Sequence, residues 1–116
     1  MDIIFANKKL EKFANDIKLA ERKLGYNQAI LLHKRINDFY DAENFSVLLD
    51  LPGHHHPLTE NRSGQWACNL VQPSRLVYEP VIQAEVGNKE GIFNLTQFEK
   101  VSIVGIIDYH DKKTRR

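Results

Sequence analysis

The chain has 116 residues, of which 42% are hydrophobic, so we expect one domain spanning residues 1–116 with one modest core. Lys and Arg number 16 against 15 Asp and Glu, and a net charge of +1 does not by itself indicate a nucleic-acid partner. One cysteine excludes an internal disulfide framework, and the absence of a signal-peptide pattern or an apolar run of roughly 18 residues predicts a cytoplasmic protein without a membrane partner.

A short strand followed by a helix is predicted for the first 25 residues. Residues 2–5 have the composition of a strand, and the side chain of Asn7 can cap a helix that begins just after it. Apolar residues then follow at three- and four-residue steps from Leu10 to Leu24, which is typical of one helical stripe. Gly25 can end this helix, because glycine adopts the left-handed conformation at little cost.

A second helix is predicted from about Asn27 to about Ala42. Its apolar residues recur at similar steps, and Ile30 and Tyr40 are expected to widen the buried face. Two helices joined by so short a link favour an antiparallel helical hairpin. Asn44 can cap one further brief helical segment before the chain reaches Pro52 and Gly53.

The second half of the chain has the pattern of strands. Four segments are rich in β-branched and aromatic residues, namely 55–59, 65–71, 75–81 and 101–107. The first three are joined by turns short enough for hairpins, which predicts an antiparallel meander. Residues 82–100 form a longer connection, in which Thr96 can cap a single helical turn. The predicted order is β-α-α-β-β-β, an α+β fold with an N-terminal strand and a two-helix hairpin packed on a small antiparallel sheet.

Three adjacent histidines, His54 to His56, are the first candidates for chemistry. Neighbouring side chains on a strand point to opposite faces, so at most two of the three can point the same way. No Cys or His partner follows at zinc-finger spacing, and we expect no structural metal. One histidine facing a functional cleft is the better interpretation.

Two other places can carry polar chemistry. Asp108, Tyr109 and His110 end an apolar strand, where they form either a site or a solvated strand end before a basic tail. Arg75 opens a strand of core residues, and it can either bind phosphate through its planar fork or pair with a carboxylate across the sheet. Cys68 lies in a predicted strand and is interpreted as a core residue.

Four segments, in this order and spacing, resemble HigB-type toxins of the RelE/ParE superfamily, in the branch called plasmid-maintenance killer proteins. They are His56-Pro57-Leu58, Asn61-Arg62-Ser63-Gly64-Gln65-Trp66, Ser74-Arg75-Leu76-Val77-Tyr78-Glu79-Pro80 and Ile106-Ile107-Asp108-Tyr109-His110. The start of the chain, with Phe5, Asn7, Leu10 and Phe13, also fits the family. The resemblance covers nearly the whole chain and implies the RelE-like, microbial-ribonuclease-like fold.

The resemblance also implies an activity and its partners. Such toxins cut messenger RNA in the ribosomal A site without a cofactor or metal. A helix-turn-helix antitoxin, here HigA-like, neutralises them, and the pair represses its own operon, so operator DNA is bound only through the complex. The family's functional positions fall on His56, Arg75, Asp108, Tyr109 and His110, and the expected RNA contacts are Arg62, Lys112 and Lys113.

The chemistry suggests a role for each position. Histidines suit proton transfer near neutral pH, so His56 and His110 are expected to share the acid and base roles, in an order that the sequence leaves open. Arg75 is expected to hold the phosphate through paired hydrogen bonds. Asp108 would orient or charge a histidine, and Tyr109 would position a base.

One departure from the family leaves two alternatives open. Thr59 and Glu60 occupy a position where the family often has a lysine, and a missing cation weakens stabilisation of transition-state charge. The chain can therefore be a catalytically silent co-repressor that only binds the antitoxin. It can also be a ParE-like gyrase inhibitor, although Gly64-Gln65-Trp66 and the acidic-Tyr-His ending favour the ribonuclease branch.

Overall fold

The mixed five-stranded sheet at the centre of the fold has the strand order β1-β5-β4-β3-β2. The structure, a computed structural model, describes residues 1–81 and 98–108. The strands are β1 (Asp2–Phe5), β2 (His56–Pro57), β3 (Trp66–Asn69), β4 (Ser74–Pro80) and β5 (Lys100–Asp108). The helices are α1 (Lys8–Asn15), α2 (Ile17–Leu24), α3 (Tyr26–Asp41) and α4 (Phe45–Leu49), and a 3-10 turn spans Glu60–Arg62.

The predicted antiparallel meander is confirmed, and one strand joins it in the other direction. Strands β2, β3, β4 and β5 pair antiparallel in succession, whereas β1 pairs parallel with β5. A parallel pair needs a long crossover between its strands, and the helices and the rest of the sheet lie between β1 and β5 in sequence. The predicted α+β class is therefore confirmed, with a mixed sheet where a wholly antiparallel one was expected.

The helix predicted between Asn7 and Gly25 is two helices. Asp16 is extended, with φ −144° and ψ 95°, and its Oδ1 accepts a hydrogen bond of 3.1 Å from the backbone N–H of Leu19. Aspartate is unfavourable inside a helix, because its side chain competes for backbone hydrogen bonds, but it is a good helix cap. Asp16 therefore ends α1 and begins α2. The predicted cap at Asn7 is confirmed, since its side chain accepts from the N–H of Leu10 at 3.2 Å.

The core lies between the helices and one face of the sheet. The core includes the four residues predicted on α3, Ala29, Leu32, Ile36 and Phe39, each of which is at most 4% exposed. The expectation that Ile30 and Tyr40 widen this face is wrong, because they are 45% and 54% exposed. On a helix with 100° between residues, Ile30 falls outside the buried arc, whereas Tyr40 lies at its margin, next to the position of Ala29.

The connection after the long helix also follows the prediction. Asn44 caps α4 by accepting from the N–H of Val47 at 3.1 Å.

The cap predicted at Thr96 and the candidate residues Tyr109, His110, Lys112 and Lys113 lie outside the described residues. Within the described ranges, none of the helices combines the length and apolar character needed to cross a bilayer.

Candidate active site

The face of the sheet that points away from the helices carries two of the predicted site residues. Side chains alternate along each strand, so residues that pair across strands share a face. His56 pairs with Ala67, and Ala67 pairs in turn with Val77. Arg75 lies on the same face, one row further along, where it pairs with Asn69 and Ile107.

His56 and Arg75 are close together on this outer face. The Nη1 atom of Arg75 lies 3.4 Å from the Nε2 atom of His56, and both side chains are partly buried. The Nδ1 atom of His56 lies 2.8 Å from the carbonyl oxygen of His54. A carbonyl only accepts and a guanidinium only donates, so the two contacts fit the tautomer in which Nδ1 donates to His54 and Nε2 accepts from Arg75. The pair therefore places a proton acceptor beside a permanent cation.

The histidine triplet is divided between the two sides of the chain, as alternation predicts. The ring centroids of His54 and His56 are 4.7 Å apart, whereas His55 points into the protein. His54 has a φ of 55°, a left-handed conformation that residues with a Cβ seldom adopt. In the described part of the chain, no three side chains of His, Cys, Asp and Glu converge closely enough to hold a metal ion.

His55 forms a hydrogen bond with Tyr78 behind the site. Its Nδ1 atom lies 2.6 Å from the Tyr78 hydroxyl, and its ring meets the ring of Phe39 edge-on, with centroids 6.3 Å apart. Burial, and then the positive charge of Arg35, lower the pKa of His55 from 6.5 to about 4. Burial also raises the pKa of Tyr78. Both groups are therefore neutral at pH 7, and their hydrogen bond lies in the partly buried interior behind the site.

A buried arginine that the sequence analysis did not single out supports the loop between α4 and β2, which carries His54 and His55. Arg35 of α3 is 8% exposed, and its Nε donates to the carbonyl of Asn69 at 2.8 Å. Its Nη1 lies 3.4 Å from the carbonyl of Pro52, and its guanidinium is packed against Gly53. The available signal was its position beside Ile36 in the apolar stripe of α3, where an arginine is unusual.

The turn between β2 and β3 holds Arg62, a predicted RNA contact. Its Nη1 donates to the Gln65 side-chain oxygen at 2.8 Å, and the N–H of Leu58 donates to the Gln65 carbonyl at 2.9 Å. The turn is thus braced by its own residues. Thr59, where the family often has lysine, is exposed at the start of this turn.

Asp108 ends β5 close to, but not in, the row of Arg75. The register pairs Asp108 with Ser74, whereas Arg75 pairs with Ile107. Neighbouring positions on a strand alternate between faces, so Asp108 belongs to the row of Ser74. Tyr109 and His110 would follow it, beyond the described residues. The structure therefore brings His56 and Arg75 together on one face, whereas the register assigns Asp108 to the opposite face.

Cys68 is a core residue, as the sequence analysis expected. It is fully buried on the helix side of β3. Burial raises the pKa of its thiol to about 12, so the thiolate needed for nucleophilic attack does not form near neutral pH.

No family model matches the sequence, and neither does any curated protein. Among solved structures, a YoeB/ParE toxin from Agrobacterium tumefaciens superimposes with a TM-score of 0.56 at 13% identity, covering 94% of this chain and 99% of that one. A YoeB–YefM complex from Staphylococcus aureus gives a TM-score of 0.52 at 18% identity, covering 95% of this chain and 97% of that one. The chain thus has the fold of YoeB/ParE toxins, while its place in the HigB branch stays a prediction.

Proposed function

We propose that a chain with this fold and this histidine–arginine pair is the toxin of a type II toxin–antitoxin pair. Its activity would be that of a HigB-type, ribosome-dependent mRNA endoribonuclease that needs no metal. The observation that carries the proposal is the contact of His56 Nε2 with Arg75 Nη1 at 3.4 Å, made by a ring whose Nδ1 is directed at the His54 carbonyl. The likeness in fold to YoeB/ParE toxins supports the class of protein.

The proposed reaction is attack by the 2′-hydroxyl of the RNA on its own 3′-phosphate. One group removes the 2′ proton, a cation stabilises the charge that develops on phosphorus, and a second group protonates the 5′ leaving oxygen. His56 and His110 would perform the two proton transfers, and Arg75 would hold the phosphate. Asp108 would orient or charge a histidine, and Tyr109 would position a base.

The proposed partners follow from the small size of the site. The His56–Arg75 pair lies beside a small buried cluster of Leu58, Ala67 and Val77 on the outer face, and a site of two side chains by itself offers little to hold a flexible RNA strand. The ribosome would supply that orientation, which can account for a large part of the barrier. Arg62, Lys112 and Lys113 would contact the RNA. A structure with this fold was solved as a complex of YoeB with YefM, which supports an antitoxin partner, here proposed to be HigA-like and to mediate binding to operator DNA.

The test is cleavage of one mRNA, either bound in translating ribosomes or free in solution. We expect cleavage on the ribosome and slow or no cleavage of the free RNA. The readout is the chemistry of the fragment ends. Attack by the 2′-hydroxyl leaves a 2′,3′-cyclic phosphate or 3′-phosphate on one fragment and a 5′-hydroxyl on the other. A 5′-phosphate would refute the mechanism, because it indicates attack by water.

A matched pair of substitutions tests the site itself. R75A should lower ribosomal cleavage by about 10²–10⁴-fold, because it removes the cation proposed to stabilise the phosphate charge. R22A is the control, since Arg22 is exposed on α2 and its loss removes an equal charge. Equal cleavage by R75A and wild type would refute the role of Arg75.

Two other results would assign a different function. Inhibition of gyrase supercoiling without RNA cleavage would place the chain among ParE-like inhibitors. Binding of the antitoxin without either activity, and normal growth on expression of the chain alone, would identify a catalytically silent co-repressor.

A further inference from the structure

We propose that Arg35 is a positioning residue, which fixes the tautomer of His56 by holding the loop between α4 and β2. The consequence for catalysis rests on the proposed function, whereas the consequence for the histidine tautomer does not. Arg35 lies on α3, on the opposite side of the sheet from His56, and its effect would pass through the backbone of Pro52, Gly53 and His54.

The first step is the link between Arg35 and the loop. Its Nε donates to the Asn69 carbonyl at the end of β3, while its Nη1 reaches the Pro52 carbonyl at 3.4 Å. The Asn69 N–H in turn donates to the Gly53 carbonyl at 2.8 Å. The loop is thereby held at two consecutive peptides, Pro52–Gly53 and Gly53–His54. Arg35 is 8% exposed, so these hydrogen bonds are largely shielded from water.

The second step is the packing of the guanidinium on Gly53. A Cβ atom added at Gly53 would lie 3.0 Å from both Cζ and Nε of Arg35, closer than ordinary contact. Gly53 also has a φ of 124°, where a side chain is strained. Glycine at this position avoids both the strain of a positive φ and a close contact with the guanidinium of Arg35.

The third step is the conformation of His54. With a φ of 55°, its backbone is strained, and such strain persists only where the surroundings hold it. This backbone presents the His54 carbonyl to Nδ1 of His56 at 2.8 Å. If Arg35 no longer held the preceding residues, His54 would relax and Nδ1 would lose its acceptor. His56 would then populate both neutral tautomers, and its Nε2 would face Arg75 unprotonated for only part of the time.

The test uses ¹⁵N-histidine labelling and two-bond ¹H–¹⁵N correlation spectra of the full chain, which report the tautomer of each ring. In the wild type at pH above 7, we expect His56 to be protonated on Nδ1. In R35M the resonances should move toward a mixture of tautomers, and R35K should be intermediate, since lysine keeps the charge but not the planar fork. The internal control is the tautomer of His33. Its Nε2 lies 2.8 Å from the Phe13 carbonyl, so the tautomer with the proton on Nε2 should persist wherever the fold is native.

G53A gives a second perturbation that keeps Arg35 in place. It should displace the guanidinium and shift the His56 tautomer in the same direction as R35M. G25A is the matched control, because Gly25 has a φ of 91° and open space around an added Cβ. G25A therefore introduces the strain of a left-handed residue without touching Arg35, and its His56 resonances should match the wild type.

The result that overturns the inference is a wild-type His56 tautomer in R35M and G53A while His33 remains native. Ribosomal cleavage provides the second readout, and we expect a loss of about 10- to 100-fold in R35M, as for a small misplacement of a reacting group. A tautomer shift in a chain whose wild type never cleaves RNA would support the positioning role and refute the proposed function. Cleavage by the wild type with no tautomer shift in the variants would support the proposed function and refute the positioning role of Arg35.

Discussion

The burial of His55, and then the positive charge of Arg35 near it, make the stability of the fold depend on pH. The pKa of His55 is about 4 in the folded protein and 6.5 when the ring is exposed. Below pH 6.5 the unfolded chain therefore binds a proton that the folded chain excludes. The stabilisation is complete above pH 6.5, falls as the pH drops toward 4, and changes no further below that value.

The size of the effect follows from the two pKa values. For a fully buried ring, the free energy of unfolding would fall by about 2 kcal/mol between pH 7 and pH 5. His55 is only partly buried, and solvent screens the charge of its protonated form, so we expect about 1 kcal/mol.

The assay compares H55L with the wild type in urea at pH 7 and pH 5. H55L should be less stable at pH 7 by about 1–3 kcal/mol, because the Tyr78 hydroxyl loses its partner. The gap should shrink by about 1 kcal/mol at pH 5, since only the wild type is penalised by the protonation of His55. The other four histidines are present in both proteins and cancel in the comparison. A gap that stays constant or widens at pH 5 would refute the reasoning.

Two further predictions test the core and the choice of chemical residues. C68S should lower the free energy of unfolding by about 1–3 kcal/mol, because it buries a hydroxyl in an apolar site, but should leave ribosomal cleavage near wild type. Loss of cleavage in folded C68S would contradict the core assignment. F39A should lower the free energy of unfolding by about 3–5 kcal/mol, whereas Y40A, on the exposed side of the same helix, should change it by less than about 1 kcal/mol. Denaturant midpoints measure both, and equal losses would contradict the orientation of α3.

The elements that local pattern determines could be predicted, and those that depend on distant partners could not. The caps at Asn7 and Asn44 and the meander follow from short-range rules and were confirmed. The break at Asp16 was missed because the apolar stripe continues across it. The parallel pairing of β1 with β5 joins residues almost 100 positions apart, and no local pattern encodes that choice.

The candidate site shows the same division. His56 and Arg75 were identified from motifs, and the structure places them in contact on one face. Arg35 and Gly53 were missed, because their contact links a helix to a loop 18 residues later and neither belongs to a motif. Tyr109 and His110 stay predictions.

The two-residue strand β2 places the proposed catalytic histidine at an edge of the sheet. An edge strand exposes unpaired backbone groups on which a foreign strand can assemble into aggregates. Here the edge is very short, and Pro57, its second residue, has no N–H to offer an incoming chain. The edge beside His56 can thus meet a flexible polymer such as RNA while the sheet discourages growth from that side. Lengthening β2 or replacing Pro57 would be expected to raise the tendency of this protein to self-associate.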